Sequence, residues 1–273
     1  MTKLYVEGKL DAEWLNRLLE GLPPLEIGGS KEELPHLMRR DRDDKRNPVP
    51  ILSWFLRDRD FDYLPDNSPG HDPCRVVNRS GNPLCGYRWR RHEIENYLID
   101  PVVIEAALGI PHNAMEAAIS AAAQPLLFYE AARWTVGQMR TELPRPGLDT
   151  RYDNLGDYQL PGNLTEANIG AWLEQRTSPY REAVTTIMST AETMRRFTEF
   201  CDRLRGLDAA SILIWYSGKD LLAALIPFFE SKFPSCKQPD DVLRRLADWR
   251  DRPTPLDGIL PEWDALKLLL QAA

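Results

Sequence analysis

The chain has 273 residues, 43% hydrophobic and 27% charged, with a net charge of −7. That length buries a sizeable core in one large domain or two small ones. No apolar run approaches the roughly 18–20 residues of a membrane span. Glu7 and Lys9 interrupt any leader-like apolar start, so a cytoplasmic protein is expected. The acidic balance argues against a protein that coats DNA generically, but phosphate contact needs only a local basic patch.

The first hundred residues read as α/β. Lys3-Leu4-Tyr5-Val6 is strand-like, and Leu10, Trp14, Leu18 and Leu22 then recur at helical spacing. Pro23-Pro24 ends that helix. Leu25-Glu26-Ile27 is a short second strand, followed by a Gly28-Gly29 turn. Ser30 with Glu33 three residues on has the pattern of a capping box. The mixed-charge run at 39–46 is expected as a solvated loop. Residues 51–56 are apolar on both faces, as in a central strand. Residues 75–78 and 84–87 flank Arg79-Ser80-Gly81-Asn82-Pro83 and predict a hairpin.

Beyond about residue 100 the pattern turns helical, over 101–109, 113–140, 165–176 and 179–205. Ser178-Pro179 is a helix start signal and Gly206 a stop. Residues 143–162 are rich in Pro, Gly, Asp and Tyr and predict a long loop. Ile212-Leu213-Ile214-Trp215-Tyr216 is β-branched and aromatic and predicts a late strand, with a helix after Ser217-Gly218-Lys219-Asp220. Two further helices follow near 240–250 and 261–271.

Acidic residues stand where strands end. Glu7 closes the first strand, and Asp58-Arg59-Asp60-Phe61-Asp62 closes the third. Strand alternation would put Asp58 and Asp60 on one face with Arg59 opposite. Two such carboxylates repel by roughly 4 kcal/mol at 4 Å with an effective dielectric near 20. A hard cation such as Mg2+ or Mn2+ turns that repulsion into binding. The plain alternatives are a surface acidic loop for Asp58 and Asp60, and a helix N-cap for Asp11. The spacing is not that of an EF-hand, since the required Gly and Glu are missing.

Tyr-Val-Glu-Gly-Lys-Leu-Asp at 5–11, with Asp-Arg-Asp-Phe-Asp at 58–62, resembles a TOPRIM domain. That fold is shared by topoisomerases, primases and OLD-type (overcoming lysogenisation defect) nucleases. Arg-His-Glu-Ile-Glu-Asn-Tyr-Leu at 91–98 resembles the Glu-Asn-Tyr-Leu signature of stand-alone TOPRIM proteins. These are encoded beside an ABC-type ATPase in bacterial phage-defence operons, as in the PARIS system. The resemblance covers residues 3–105, and 211–230 more loosely.

The resemblance implies an α/β fold, with a TOPRIM-like, mostly parallel sheet flanked by helices. The core would span 1–110, with a helical insertion at 111–206. A late strand and helix at 207–235 would complete the core, and C-terminal helices would occupy 236–273. It implies a metal-dependent endonuclease using Mg2+ or Mn2+. Glu7 would be metal ligand or general base, Asp11 the second acid of an ExxxD pattern, and Asp58 and Asp60 the DxD ligands. Glu95, with Glu93, would support the metal or orient the strand, and Lys219 would lie near the scissile phosphate. Gly218-Lys219 reads equally as an ordinary helix start. The implied partners are nucleic acid (DNA or tRNA) and an ABC-type ATPase. Helical insertions in that family also serve docking and dimerisation, so a homodimer is compatible. No G-x-x-x-x-G-K-[ST] occurs in the chain, so an ATPase, if one is involved, would be another polypeptide. The competing reading is a non-catalytic TOPRIM-like subunit that binds a partner or nucleic acid.

Two smaller groupings complete the sequence. Cys74, Cys85, Cys201 and Cys236 form no CxxC and are expected as reduced thiols. His71, Cys74, Cys85 and His92 form a conceivable zinc set, but their spacing matches no common zinc module. Arg88-Trp89-Arg90-Arg91 offers either a grip on a nucleic-acid backbone or a solvated strand edge.

Overall fold

The structure, a computed structural model, describes residues 2–18, 24–30, 33–43, 52–65, 71–77, 83–143, 166–252, 256 and 258–271. It divides into two compact units, Met1–Glu130 with Leu204–Ala273, and Ala131–Arg203. The first unit opens with β1 (Thr2–Val6), α1 (Lys9–Leu18), β2 (Leu25–Ile27), α2 (Leu34–Asp43), β3 (Leu52–Arg57), β4 (Cys74–Val77) and β5 (Pro83–Arg88). The strands form one sheet in the order β2-β1-β3-β5-β4. Its pairings are parallel except for the antiparallel β4–β5 edge. The α/β class, the parallel sheet and the antiparallel hairpin are therefore as the sequence predicts. β3 is central, and its Ser53, Trp54, Phe55 and Leu56 are all buried.

α2 packs on the sheet through Leu34 and Met38, against Tyr5, Phe55 and Val76. Gly86 pairs with Phe55, and a Cβ there would lie 2.2 Å from the Phe55 ring. Only glycine lets the ring cross β5. Half of the predicted capping box is present before the helix, with Glu33 accepting the Ser30 backbone N–H at 3.0 Å, while α2 itself starts at Leu34. The mixed-charge run is not a solvated loop as far as Asp43; it is the end of α2. Asp41 lies on the sheet-facing side of that helix and is buried. It accepts the Tyr5 hydroxyl at 2.6 Å and the Ser53 hydroxyl at 3.1 Å, with Lys3 Nζ at 3.7 Å. Burial, reinforced by Asp41, pushes the Tyr5 phenol pKa up and keeps it a donor. Residues 44–50 and 78–82, including most of the predicted turn, lie outside the described residues.

The chain continues through α3 (Ile94–Leu98), α4 (Pro101–Leu108) and α5 (His112–Glu142), whose last turns belong to the second unit. That unit also holds α6 (Glu166–Ile187) and α7 (Thr190–Leu204). Trp134 of α5 stacks on Phe200 of α7 at 5.8 Å, and Arg196 forks onto Glu142 with two bonds of 2.7 Å. Pro179 starts no helix; it sits inside α6. The lost backbone N–H is tolerated at this exposed position, and a Glu174–Arg181 ion pair spans it. The break falls ten residues later, where Ser189 Oγ accepts the Glu192 N–H at 3.2 Å. The predicted loop after Leu143 lies outside the described residues.

The first unit resumes with α8 (Ala209–Trp215), α9 (Gly218–Ala224), α10 (Ile226–Lys232), α11 (Pro239–Arg250) and α12 (Pro261–Gln271). The late strand expected at 212–216 is instead helix α8. Asp208 caps it by accepting the Ser211 N–H at 2.7 Å. Ala209, Ile212, Leu213 and Tyr216 are buried at helical spacing. Local capping and burial override the β-branched preference. Trp14 of α1 packs on Trp249 and Trp263, each at 6.3 Å, tying α1 to α11 and α12. Cys74, Cys201 and Cys236 are buried. Among the described residues, no helix is long and apolar enough to cross a membrane.

Asp41→Ala removes the acceptor of two buried hydroxyls and should lower stability by roughly 2–4 kcal/mol. Asp41→Asn, which keeps one acceptor oxygen, should lose less. Urea unfolding followed by tryptophan fluorescence measures both.

Candidate metal centre

β1 connects to β2 on one side, while β3 lies on its other side. In open parallel sheets, ligands bind above the strand carboxyl ends at such a switch point. Glu7 directly follows β1 and Asp58 directly follows β3. Glu7 Oε1 accepts the Asp58 backbone N–H at 3.1 Å, bridging the two ends.

Strand alternation does not place Asp58 and Asp60, because β3 ends at Arg57. A turn places them. The N–H groups of Arg59 and Asp60 both reach the His92 carbonyl, at 2.9 and 3.4 Å. Asp60 takes φ +49°, a left-handed conformation costing roughly 1–2 kcal/mol that Asp tolerates better than most residues. Arg59 is buried and donates to the Ile214 carbonyl. As a result, Asp58, Asp60 and Glu93 each bring a carboxylate oxygen within 4.8 Å of the others.

Glu93 is held from three directions. Its Oε1 accepts the Ser217 hydroxyl and the Lys219 backbone N–H, both at 2.8 Å, and its Oε2 accepts Lys219 Nζ at 2.5 Å. Asn96 is fully buried and closes the arrangement. Its Oδ1 accepts the Glu93 N–H at 3.1 Å, and its Nδ2 donates to the Tyr216 carbonyl at 2.9 Å. A Cβ on Gly218 would fall 2.5 Å from the Asn96 nitrogen, so glycine is needed for the start of α9 to meet α3 this closely. The Ser217 N–H in turn reaches buried Glu130 at 3.4 Å. Lys219 thus arrives from the first turn of α9 and not from a strand end. Its side chain is 61% exposed, while its ammonium also lies 3.7 Å from Glu95.

Asp11 is not the N-cap of α1. It lies inside the first turn, buried, and accepts the Trp89 indole N–H at 3.4 Å. Burial pushes its carboxyl pKa up, partly opposed by Trp89. Asp58 is raised well above the usual carboxylate range, first by burial and then by Asp11, Glu7 and Glu93. Glu95 is pushed up to about 7, first by burial and then by Glu93. Burial pulls the Lys219 ammonium down, but Glu93, Glu95 and Asp58 outweigh it and the net shift is upward.

These residues fit a divalent cation. Asp58 Oδ1 and Glu95 Oε2 are buried with no hydrogen-bond partner, and the donor set is entirely carboxylate oxygen, as Mg2+ or Mn2+ requires. Glu7, Asp11, Asp58, Asp60, Glu95 and Lys219 all enter one neighbourhood. Glu93, rather than Glu95, completes the tight group. Ser217 and Trp89 join the site without being sequence candidates for it; the signal for Ser217 is a Glu-x-x-Asn helix start facing a Ser-Gly-Lys helix start.

Other sequence candidates have structural jobs. Arg91 is buried and bonds Asp100 at 2.7 Å, the Asn96 carbonyl at 3.0 Å and Glu262 at 3.4 Å. Trp89 is buried as well. Neither is open to a nucleic-acid backbone or to solvent. His92 Nε2 lies 3.2 Å from the Trp215 carbonyl and its ring packs on Phe61 at 4.3 Å. The conceivable zinc set includes Cys85, whose side chain lies outside the described residues; among the described residues His71, Cys74 and His92 join no metal-ligating group. A groove lined by Glu13, Asn16, Arg17, Arg250 and Asp251 shares no residue with the carboxylate cluster.

Protons and a cation compete for the same oxygens. With Glu95 raised from 4.5 to about 7, the folded protein binds more protons than the unfolded chain across that window, so cation-free stability falls as pH rises through it. A cation replaces the proton. Millimolar Mn2+ should therefore raise Tm by about 3 °C or more near pH 8 and by little near pH 5. Differential scanning fluorimetry reads this; shifts equal at both pH values would contradict cation binding at these carboxylates. No protein-family model and no curated protein matches the chain, so this cluster is what bears on function.

Proposed function

We propose that the chain is a metal-dependent endonuclease of the TOPRIM type. The observation that supports it is the carboxylate group of Asp58, Asp60 and Glu93 at the β1/β3 switch point, with Glu7 and Lys219 beside it. A divalent cation there would polarise a phosphoryl oxygen and lower the pKa of a bound water. Glu7 would accept the proton of the attacking water. The water oxygen would bond to phosphorus as the P–O ester bond breaks, and the leaving alkoxide would take a proton from solvent. Lys219 would place a positive charge against the charge developing on the phosphoryl group. Ser217 and Asn96 would hold Glu93 and the turn before α9 in place.

The resemblance to stand-alone TOPRIM proteins extends the proposal to biology. The chain would act as the effector of an anti-phage defence system, cutting DNA or RNA, including tRNA, under control of an ABC-type ATPase. Purified protein with Mg2+ or Mn2+, combined with that ATPase and its trigger, should nick plasmid or cleave tRNA. Glu7→Ala and Asp60→Ala should each reduce cleavage by at least about 100-fold with unchanged circular dichroism. Identical cleavage traces from wild type and both variants would sink the catalytic reading.

A further inference from the structure

The same strand ends carry a cationic group. β3 and β5 pair with Arg57 opposite Arg88. Arg57 immediately precedes Asp58, and Arg88 immediately precedes Trp89, whose indole binds Asp11. Tyr63 serves both arginines. Arg57 Nη2 donates to its hydroxyl at 2.6 Å, and the guanidinium carbons of Arg57 and Arg88 lie 5.3 and 4.3 Å from its ring centroid. Neither arginine pairs with a carboxylate among the described residues, and the Nε–H of each is buried without an acceptor. Both side chains are half-buried.

Two guanidinium groups beside one ring repel each other, and the ring's negative face offsets this only partly. In a chain with more acidic than basic residues, they nonetheless have no carboxylate partner among the described residues. A guanidinium fork matches the oxygens of phosphate, and an aromatic face beside it suits a nucleotide. A cluster of carboxylates that must receive a polyanion also needs a cationic flank.

We infer that Arg57, Arg88 and Tyr63 form a phosphate-binding subsite that holds a phosphodiester of the nucleic-acid strand next to the one at the carboxylates. The identity of the occupant rests on the endonuclease reading. The test uses the full chain in EDTA, with a fluorescein-labelled single-stranded oligonucleotide, as RNA and as DNA, followed by fluorescence anisotropy. Arg57→Gln and Arg88→Gln should each weaken binding about tenfold and flatten the salt dependence of log K by about 0.7. Arg88→Lys should keep the salt slope. Mn2+ uptake by calorimetry should be unchanged in all three.

Wild-type affinity and salt slope in the double Gln variant would overturn the subsite. So would a wild type that takes up Mn2+ but binds neither oligonucleotide. Inorganic pyrophosphate binding through these arginines, without oligonucleotide binding, would overturn the strand as occupant. Should the double variant fail to fold, Arg88→Gln against Arg88→Lys decides the matter. No Mn2+ uptake, together with weakened oligonucleotide binding in the Gln variants, would remove the endonuclease reading and leave the subsite standing.

Discussion

Electrostatic repulsion among Glu7, Asp11, Asp58 and Glu93 is the constraint around which this unit is built. Each of Asp11, Glu7 and Glu93 makes ionisation of Asp58 harder, and burial does so first. Of the hydrogen bonds and ion pairs described for these carboxylates, none comes from a strand side chain. Compensation comes from groups brought in by the chain around it: a backbone N–H for Glu7, an indole for Asp11, and a hydroxyl, an amide and an ammonium for Glu93. Neutral donors and one lysine restrain the cluster without filling every oxygen, which is the balance a cation site requires.

The restraint is built by two helix starts that face each other. Residues 93–96 and 216–219 interlock through Asn96, Tyr216, Ser217 and Gly218, and the close approach at Gly218 leaves no space for a larger residue. Trp14, Trp249 and Trp263 add apolar contact between α1 and the last two helices. The arrangement at the strand ends thus depends on packing that lies outside the sheet.

Much of the sheet was legible because its strands are short, apolar and separated by turn residues. The position of β3 followed from burial on both faces. α8 was misread because Ile212, Ile214 and Trp215 favour strands in isolation, whereas the Asp208 cap and the helical spacing of its buried residues decide the matter. The Ser-Pro at 178–179 misled for the opposite reason: a good local start signal lay within a stretch that was helical on both sides. The acidic candidates were legible as residue types at strand ends. Their arrangement was not, because it depends on the left-handed turn at Asp60 and on contacts more than a hundred residues apart. Arg91 shows the converse: a basic run that looks like a phosphate grip can be a buried ion pair with Asp100.

The hold on Glu93 has a temporal side. Its donors, Ser217 and Lys219, are translated more than 120 residues after it. A growing chain that has emitted the five strands and α3 carries the acidic side chains without the groups that fix Glu93. The centre is therefore assembled late in synthesis, once residues on both sides of the Ala131–Arg203 unit have met. A chain interrupted between them presents the carboxylates and lacks the lysine.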